Sequence, residues 1–313
     1  MNRTNKVIKY IENLVNSSNN DVAKINKIIY SETIDSLDEL HGLSNSERYI
    51  RYEVLLESYL SSIALTYMRR IYKNDNDSPY EFERFFYHKN ILFVLNYLMT
   101  KNREELFLNL AEQGEILLMD FACNDFRIGH FCYDKIIESI QSGKMAESLP
   151  MYTRPQKLGV LAIEMLGSEK NQTIDWESTG IPIDPFYQRF CQEALYNENH
   201  DVVAQWLITL CDKHIEWSAL FADNENEQSS TGYEIDMEIL LAWPFEYQAV
   251  KNFRARHGLT TPIIDHPLLK TPMAIDHRPD MVGWKQNRPA IYDQMIDDLI
   301  SINPELQVIH KLF

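Results

Sequence analysis

Histidine and carboxylate stand side by side at three places in this chain, His200-Asp201, Asp265-His266 and Asp276-His277, with His257 not far away. Imidazoles and carboxylates are the usual metal ligands and proton carriers, so these pairs are where hydrolytic or acid/base chemistry would be sought. Neighbouring residues do not project together from a helix or a strand, however. A metal site needs ligands that converge from several elements, and dipeptide spacing does not supply that convergence. Asp265-His266 and Asp276-His277 each follow isoleucine in a proline-rich stretch, where Asp commonly holds a turn by accepting from backbone amides. Asp201 follows Asn199 at a helix start, where a carboxylate favours the helix dipole. His214 falls on an apolar stripe and reads as a hydrogen-bonded core histidine.

Other chemistry is equally unmarked. The chain contains no G-x-S-x-G, no H-E-x-x-H, no glycine-rich phosphate loop and no dinucleotide fingerprint. Cys123, Cys132, Cys191 and Cys211 lack C-x-x-C spacing and read as reduced thiols packed in a core. No catalytic residue, metal or cofactor is expected.

The charge pattern is more informative. The net charge is −16, and between Lys213 and Lys251 there is no Lys or Arg at all. That interval holds Glu216, Asp223, Glu225, Glu227, Glu234, Asp236, Glu238 and Glu246. Such a balance repels phosphate backbones and anionic membranes, which disfavours direct nucleic-acid or membrane binding, and its natural complement is a basic protein. Within the interval, Asp223, Glu225, Glu227, Glu234, Asp236 and Glu238 are the expected charged surface, with Glu216 at its edge and Trp217 and Tyr233 as aromatic anchors. Lys6, Lys9 and Glu12 interrupt any apolar run at the start of the chain, and Ile91–Met99 is about half the length of a membrane span. A cytoplasmic protein is expected.

The elements that position these residues read as helices. Ten glycines and twelve prolines in 313 residues leave few turns, and an apolar content of 45% suffices for a large core. Apolar residues recur at helical spacing from Asn45 to Lys73, with Ile50, Val54, Leu55, Tyr59, Ile63, Tyr67 and Ile71 predicted to face inward behind a Ser44/Glu47 capping box. Ser78, Pro79 and Glu81 open another helix, and further helices are predicted over 102–123, 125–141, 153–165, 184–196 and 233–242. The stripe Val202, Val203, Trp206, Leu207, Leu210, Cys211, His214 and Ile215 leads directly into the acidic interval. Trp243-Pro244 starts a helix that ends at His257-Gly258. The prolines at 262, 267, 272, 279 and 289 predict an extended strap over 260–289, followed by a last helix from about 289 to 302. The fold class is therefore all-α, a bundle-like array in two packed halves, 1–143 and 150–313, joined through Ser142–Pro155. The second half carries an acidic loop over 223–238 and the strap.

This order of parts, with the run LLAWPFEYQAVKNFR (Leu240–Arg254) followed by GLTTPIIDHPLL (Gly258–Leu269), resembles the two-part helical immunity proteins of bacterial polymorphic toxin systems, in particular those cognate to PoNe-type nuclease toxins. The resemblance implies a protein without enzymatic activity that binds and neutralises a cognate antibacterial toxin. Nuclease toxins carry basic clefts for phosphate, which an acidic surface can occupy. Two other readings stay open: a metal-dependent helical hydrolase of HD type, built on His200-Asp201 and the Asp-His pairs, and a generic helical regulator that binds a resident partner.

Overall fold

The computed structural model describes residues 2–17, 40, 42–74, 80–99, 110–143, 145, 154–220 and 232–313. Among these residues the chain is helical, as predicted, and its only strand-like pairings are two isolated parallel bridges, Gln156 with Ile183 and Ser218 with Ile235. In chain order the helices are α1 (Arg3–Ser17), α2 (Asn45–Ser58), α3 (Leu60–Lys73), α4 (Glu81–Met99), α5 (Leu110–Ala122), α6 (Arg127–Gln141), α7 (Leu158–Glu169), α8 (Trp176–Thr179), α9 (Pro185–Glu193) and α10 (His200–Glu216). They continue with α11 (Glu238–Leu241), α12 (Phe245–Arg256), α13 (Met281–Asn287), α14 (Ile291–Ile302) and α15 (Ile309–Leu312), and 3₁₀ turns lie at Pro267–Lys270 and Pro304–Val308.

The chain divides into two compact units, but not at the predicted connector. One unit comprises Met1–Ile11 with Arg103–Arg278, and the other Glu12–Asn102 with Pro279–Phe313. The boundary expected between 143 and 150 falls inside the first unit, because α5, before that stretch, packs against both α7 and α12 beyond it. Gly114 of α5 meets Gly159 of α7 so closely that a methyl group on either would overlap backbone of the other helix. A crossing this close excludes any larger side chain and welds the two sides of the connector together.

In the first unit the run Leu240–Arg254 is an internal hub. Trp243 donates to Gln248 Oε1 at 2.6 Å, and Gln248 in turn donates to the Ile275 carbonyl at 2.7 Å. Asn252 Nδ2 donates to the carbonyls of Phe121 and Ala122, both at 2.8 Å. The buried Arg254 guanidinium spans four carbonyls, those of Ala194, Leu195, Asn197 and Thr260. A buried guanidinium is tolerable only when most of its donors are met, and here both terminal nitrogens are, while Nε is left without a partner among the described residues.

In the second unit the centre is α4, in which Phe85, Phe86, Tyr87, Ile91, Val94 and Leu95 are all buried. It packs against α2, α3 and α13. Its apolar stretch is core, and no helix among the described residues is long and apolar enough to cross a membrane. Arg48 and Tyr52 of α2 both reach Asp298 of α14, at 2.9 and 2.8 Å.

Several local expectations hold. The Ser44/Glu47 capping box forms, Asp184 caps α9 with Pro185 in the first turn, and Asn199 caps α10. Gly258 takes φ +72° just past His257, the C-cap of α12, where an L side chain would be strained. Others change. The helix predicted over Asn45–Lys73 breaks at Tyr59, and α2 turns Tyr49, Tyr52 and Leu56 inward while Ile50 and Val54 are 46% and 51% exposed. Only Glu238–Leu241 of the helix predicted over 233–242 is helical. The strap is extended over Leu259–His266 but then forms a 3₁₀ turn and α13, and it passes from one unit to the other at Arg278–Pro279.

Candidate partner-binding surface

The acidic interval begins where α10 ends. Lys213, in the last turn of α10, holds Glu216 at 3.0 Å and lies 3.7 Å from Asp184. Beyond the helix the backbone of Trp217–Ala219 pairs with Ile235: Ala219 N donates to Ile235 O at 2.7 Å and Ile235 N donates to Trp217 O at 3.2 Å. Arg3 of α1 fastens the same stretch, donating to the carbonyls of Ile215 at 2.9 Å and Ser218 at 2.6 Å. The two chain ends that bracket residues 221–231 are thus tied to each other and to the body of the first unit.

Beneath this stem lies a buried ion pair. Lys157, whose side chain is 2% exposed, places Nζ 3.3 Å from Glu234 Oε1 and donates to the carbonyls of Pro155 at 2.7 Å and Gly232 at 3.0 Å. Glu234, 5% exposed, also accepts from the backbone N–H groups of Lys157 at 3.2 Å and Leu158 at 2.8 Å, the second of these opening α7. Burial pushes the Glu234 carboxyl up; the ammonium and the backbone donors pull it back without cancelling the burial. Lys157 Nζ also sits 4.1 Å from the centre of the Trp217 ring, and the Arg3 guanidinium 5.0 Å from that of Tyr233.

These contacts revise the expected surface. Glu234 is not available to a partner, since its carboxylate is consumed by Lys157 and the start of α7. Glu246 is likewise internal: His214 Nδ1 lies 2.7 Å from Glu246 Oε2, and His214 Nε2 lies 3.1 Å from the Leu241 carbonyl. His214 is the core histidine that its stripe predicts, with neither ring nitrogen open to a substrate. Trp217 and Tyr233 are half-buried, packed edge-on with centroids 6.4 Å apart, and already carry the chain's own cations, Lys157 and Lys213 on Trp217 and Arg3 on Tyr233. Asp236 is exposed, Glu216 is 51% exposed and Glu238 is partly exposed. Asp223, Glu225 and Glu227 lie outside the described residues. The sequence gap in basic residues is therefore partly filled in space by Arg3, Lys157 and Lys213, and Lys157 is the residue that sequence reasoning missed. Its signal would have been a lysine directly before a strongly apolar helix start, which is too common to single out.

The Asp-His pairs do not converge. His200 Nε2 bonds Thr260 Oγ1 at 2.8 Å, His266 Nε2 lies 3.2 Å from Asp212, and His277 Nε2 donates to the Met273 carbonyl at 3.0 Å. Asp265 pairs with Lys270 and Asp276 with Lys251. Two histidines do share a carboxylate, His130 and His257 on Glu169 at 3.2 and 3.1 Å, with Arg256 at 3.5 Å. Among the described residues no three His, Cys, Asp or Glu side chains are grouped as a metal ion would require. Burial pushes the thiols of Cys132, Cys191 and Cys211 up, so none of the three is poised as a thiolate.

The described part of the acidic interval is thus a fixed stem that carries Glu216, Asp236 and Glu238 outward, with two half-buried aromatic rings at its base. Compared with known protein families, with curated proteins and with solved structures, the chain finds no match in any of the three.

Proposed function

We propose that this chain is a non-enzymatic immunity protein, which binds and neutralises a basic antibacterial toxin, a nuclease by the resemblance of its Leu240–Leu269 stretch, inside the cytoplasm of the cell that makes it. The observation that carries this reading is the stem. The sequence of residues 221–231 contains Asp223, Glu225 and Glu227 and no base, and the described residues on either side of it are held by the Ser218–Ile235 bridge, Arg3 and the Lys157–Glu234 pair. Fixing this backbone lowers the ordering cost of binding through the exposed Asp236 and Glu216 and the partly exposed Glu238. An excess of exposed acid steers a basic partner and speeds its capture, which suits a protein that must reach a toxin before the toxin reaches its substrate.

The test is direct. The tagged protein is recovered from its native cells with bound partners, and each partner is expressed alone and together with the chain. Immunity requires a basic partner that kills alone, is tolerated in the presence of the chain, and forms a stoichiometric complex with it. Survival of cells that lack the chain when every co-purifying protein is expressed would end the proposal.

A further inference from the structure

The extended part of the strap lies along α10, fixed at both ends. Thr260 is bonded to His200 at the first residue of α10, and His266 meets Asp212 three turns further on. From His200 to Asp212 the helix rises about 18 Å. The extended chain from Thr260 to His266 covers about 20 Å, so the strap runs beside the helix without slack. Its side chains alternate. Ile264, His266 and Leu268 are buried, whereas Ile263 is 98% exposed and the Asp265 side chain 83% exposed. Pro262 and Pro267 bracket this stretch and restrict its backbone. Ile263 is thus an isoleucine held out in solvent by a stiff support.

The charged groups around it are mostly acids. Asp265 shares its face, Asp212 stands at one end of the strap, Asp201 follows the His200 contact at the other, and Glu216 lies one turn beyond Asp212. Lys270 and Lys213 are each already paired with one of these acids, and Arg254, which donates to the Thr260 carbonyl, is buried and not part of the exposed surface. Val202, 37% exposed on the first turn of α10, adds a second apolar group.

We propose that the strap and the exposed face of α10 form a docking surface in which Ile263 enters an apolar pocket of a partner protein whose rim carries lysine or arginine. The choice of occupant follows from charge. A second copy of this chain would bring like charges onto Asp201, Asp212 and Asp265, while a basic rim neutralises them as the isoleucine is buried. Little ordering is required of the strap, since both of its ends are already fixed. The inference rests on the binding function proposed above and names the surface chemistry that the partner must have.

Site-specific photocrosslinking in the native cells tests it. Ile263→p-benzoylphenylalanine probes the strap, and Asp236→p-benzoylphenylalanine probes the acidic stem in a parallel culture. The expected result is one adduct at 263 with a basic protein. Its yield should fall at least tenfold when Asp212→Lys and Asp265→Lys are introduced together, and stay unchanged with Glu177→Lys on an exposed position elsewhere. Circular dichroism and melting of the charge-reversed variant confirm that it is folded. An adduct at 236 with none at 263 leaves the binding function standing and overturns this surface. An adduct at 263 alone supports it and removes the stem as the contact. No adduct at either position, a yield insensitive to the two reversals, or an adduct of twice the chain mass each overturns the proposal.

Discussion

At the level of single residues, the buried Lys157–Glu234 pair is the feature with the largest consequence. An ion pair withdrawn from water is a weak source of stability when intact, but removing one member strands the other charge. Lys157→Met is therefore expected to cost about 3–5 kcal/mol, and the double change Lys157→Met with Glu234→Leu to recover most of it, as read from urea unfolding. Glu234 also leaves a signature in pH. Because burial raises its folded pKa, the native state holds this proton more tightly than the unfolded chain, and the contribution of Glu234 is greatest in acid and declines as pH rises above the ordinary carboxylate range. Glu234→Gln should remove that decline, seen as a smaller loss of stability between pH 4.5 and 7 than in the unaltered protein. Two histidines act in the opposite sense. Burial lowers His88 to about 3 and His277 to about 4, so both stay neutral in the fold while the unfolded chain takes up protons near 6.5. Stability from each is complete above pH 6.5 and is lost at about 1.4 kcal/mol per pH unit on acidification towards pH 4. His277→Gln should flatten this slope by one proton, measured as the pH dependence of the unfolding midpoint. His277 supports the hub directly, its ring centred 4.5 Å from that of Trp243.

At the level of elements, the crossing of α5 and α7 decides the architecture of the first unit. Gly159→Ala places a methyl group against the Leu110 carbonyl and side chain, and because backbone is what it meets, little can give way. A loss at the upper end of about 1–3 kcal/mol in thermal or urea unfolding is expected, whereas Gly143→Ala, where nothing among the described residues lies within 4 Å but φ is +76°, should cost only the smaller conformational penalty. This crossing also shows what local sequence reports and what it does not. Helix starts were legible, since Ser44, Asp184 and Asn199 cap as their types dictate and depend only on the next few residues. The direction of a helical face was less so. In α2 both Ile50/Val54 and Tyr49/Tyr52/Leu56 satisfy a helical period, and the choice between them falls to partners remote in sequence, among them Asp298, which binds Tyr52. For the same reason Glu234 and Asp236 look alike on paper: only the arrival of Lys157 from 77 residues away separates a buried carboxylate from an exposed one.

At the level of the whole molecule, composition announced the fold class and the sign of the charge, but not the division into units. The Gly/Pro-bearing stretch near 143–155 looked like a boundary because local turn chemistry marks breaks in helices, and breaks in helices are not breaks in cores. Both units are closed by chain segments distant in sequence, Arg3 onto Ser218 in one and Arg48 onto Asp298 in the other. Net charge sets the strictest demand on the functional proposal, because a chain at −16 attracts any basic protein weakly and without specificity. Steering by the acidic stem must exceed that background. Reversing Glu216, Asp236 and Glu238 to lysine should reduce the association rate of the proposed complex with a basic toxin by about 10–100-fold at low ionic strength and change its dissociation rate little, since exposed charges act mainly on encounter. The same three reversals at Glu177, Asp175 and Glu198 shift the net charge equally and should slow association only a few-fold. Stopped-flow mixing at two salt concentrations separates the cases: the difference between the two triple variants should shrink as the screening length falls below 10 Å. Equal slowing by both sets would mean that net charge alone guides the encounter, and the binding surface would then have to be sought at the strap.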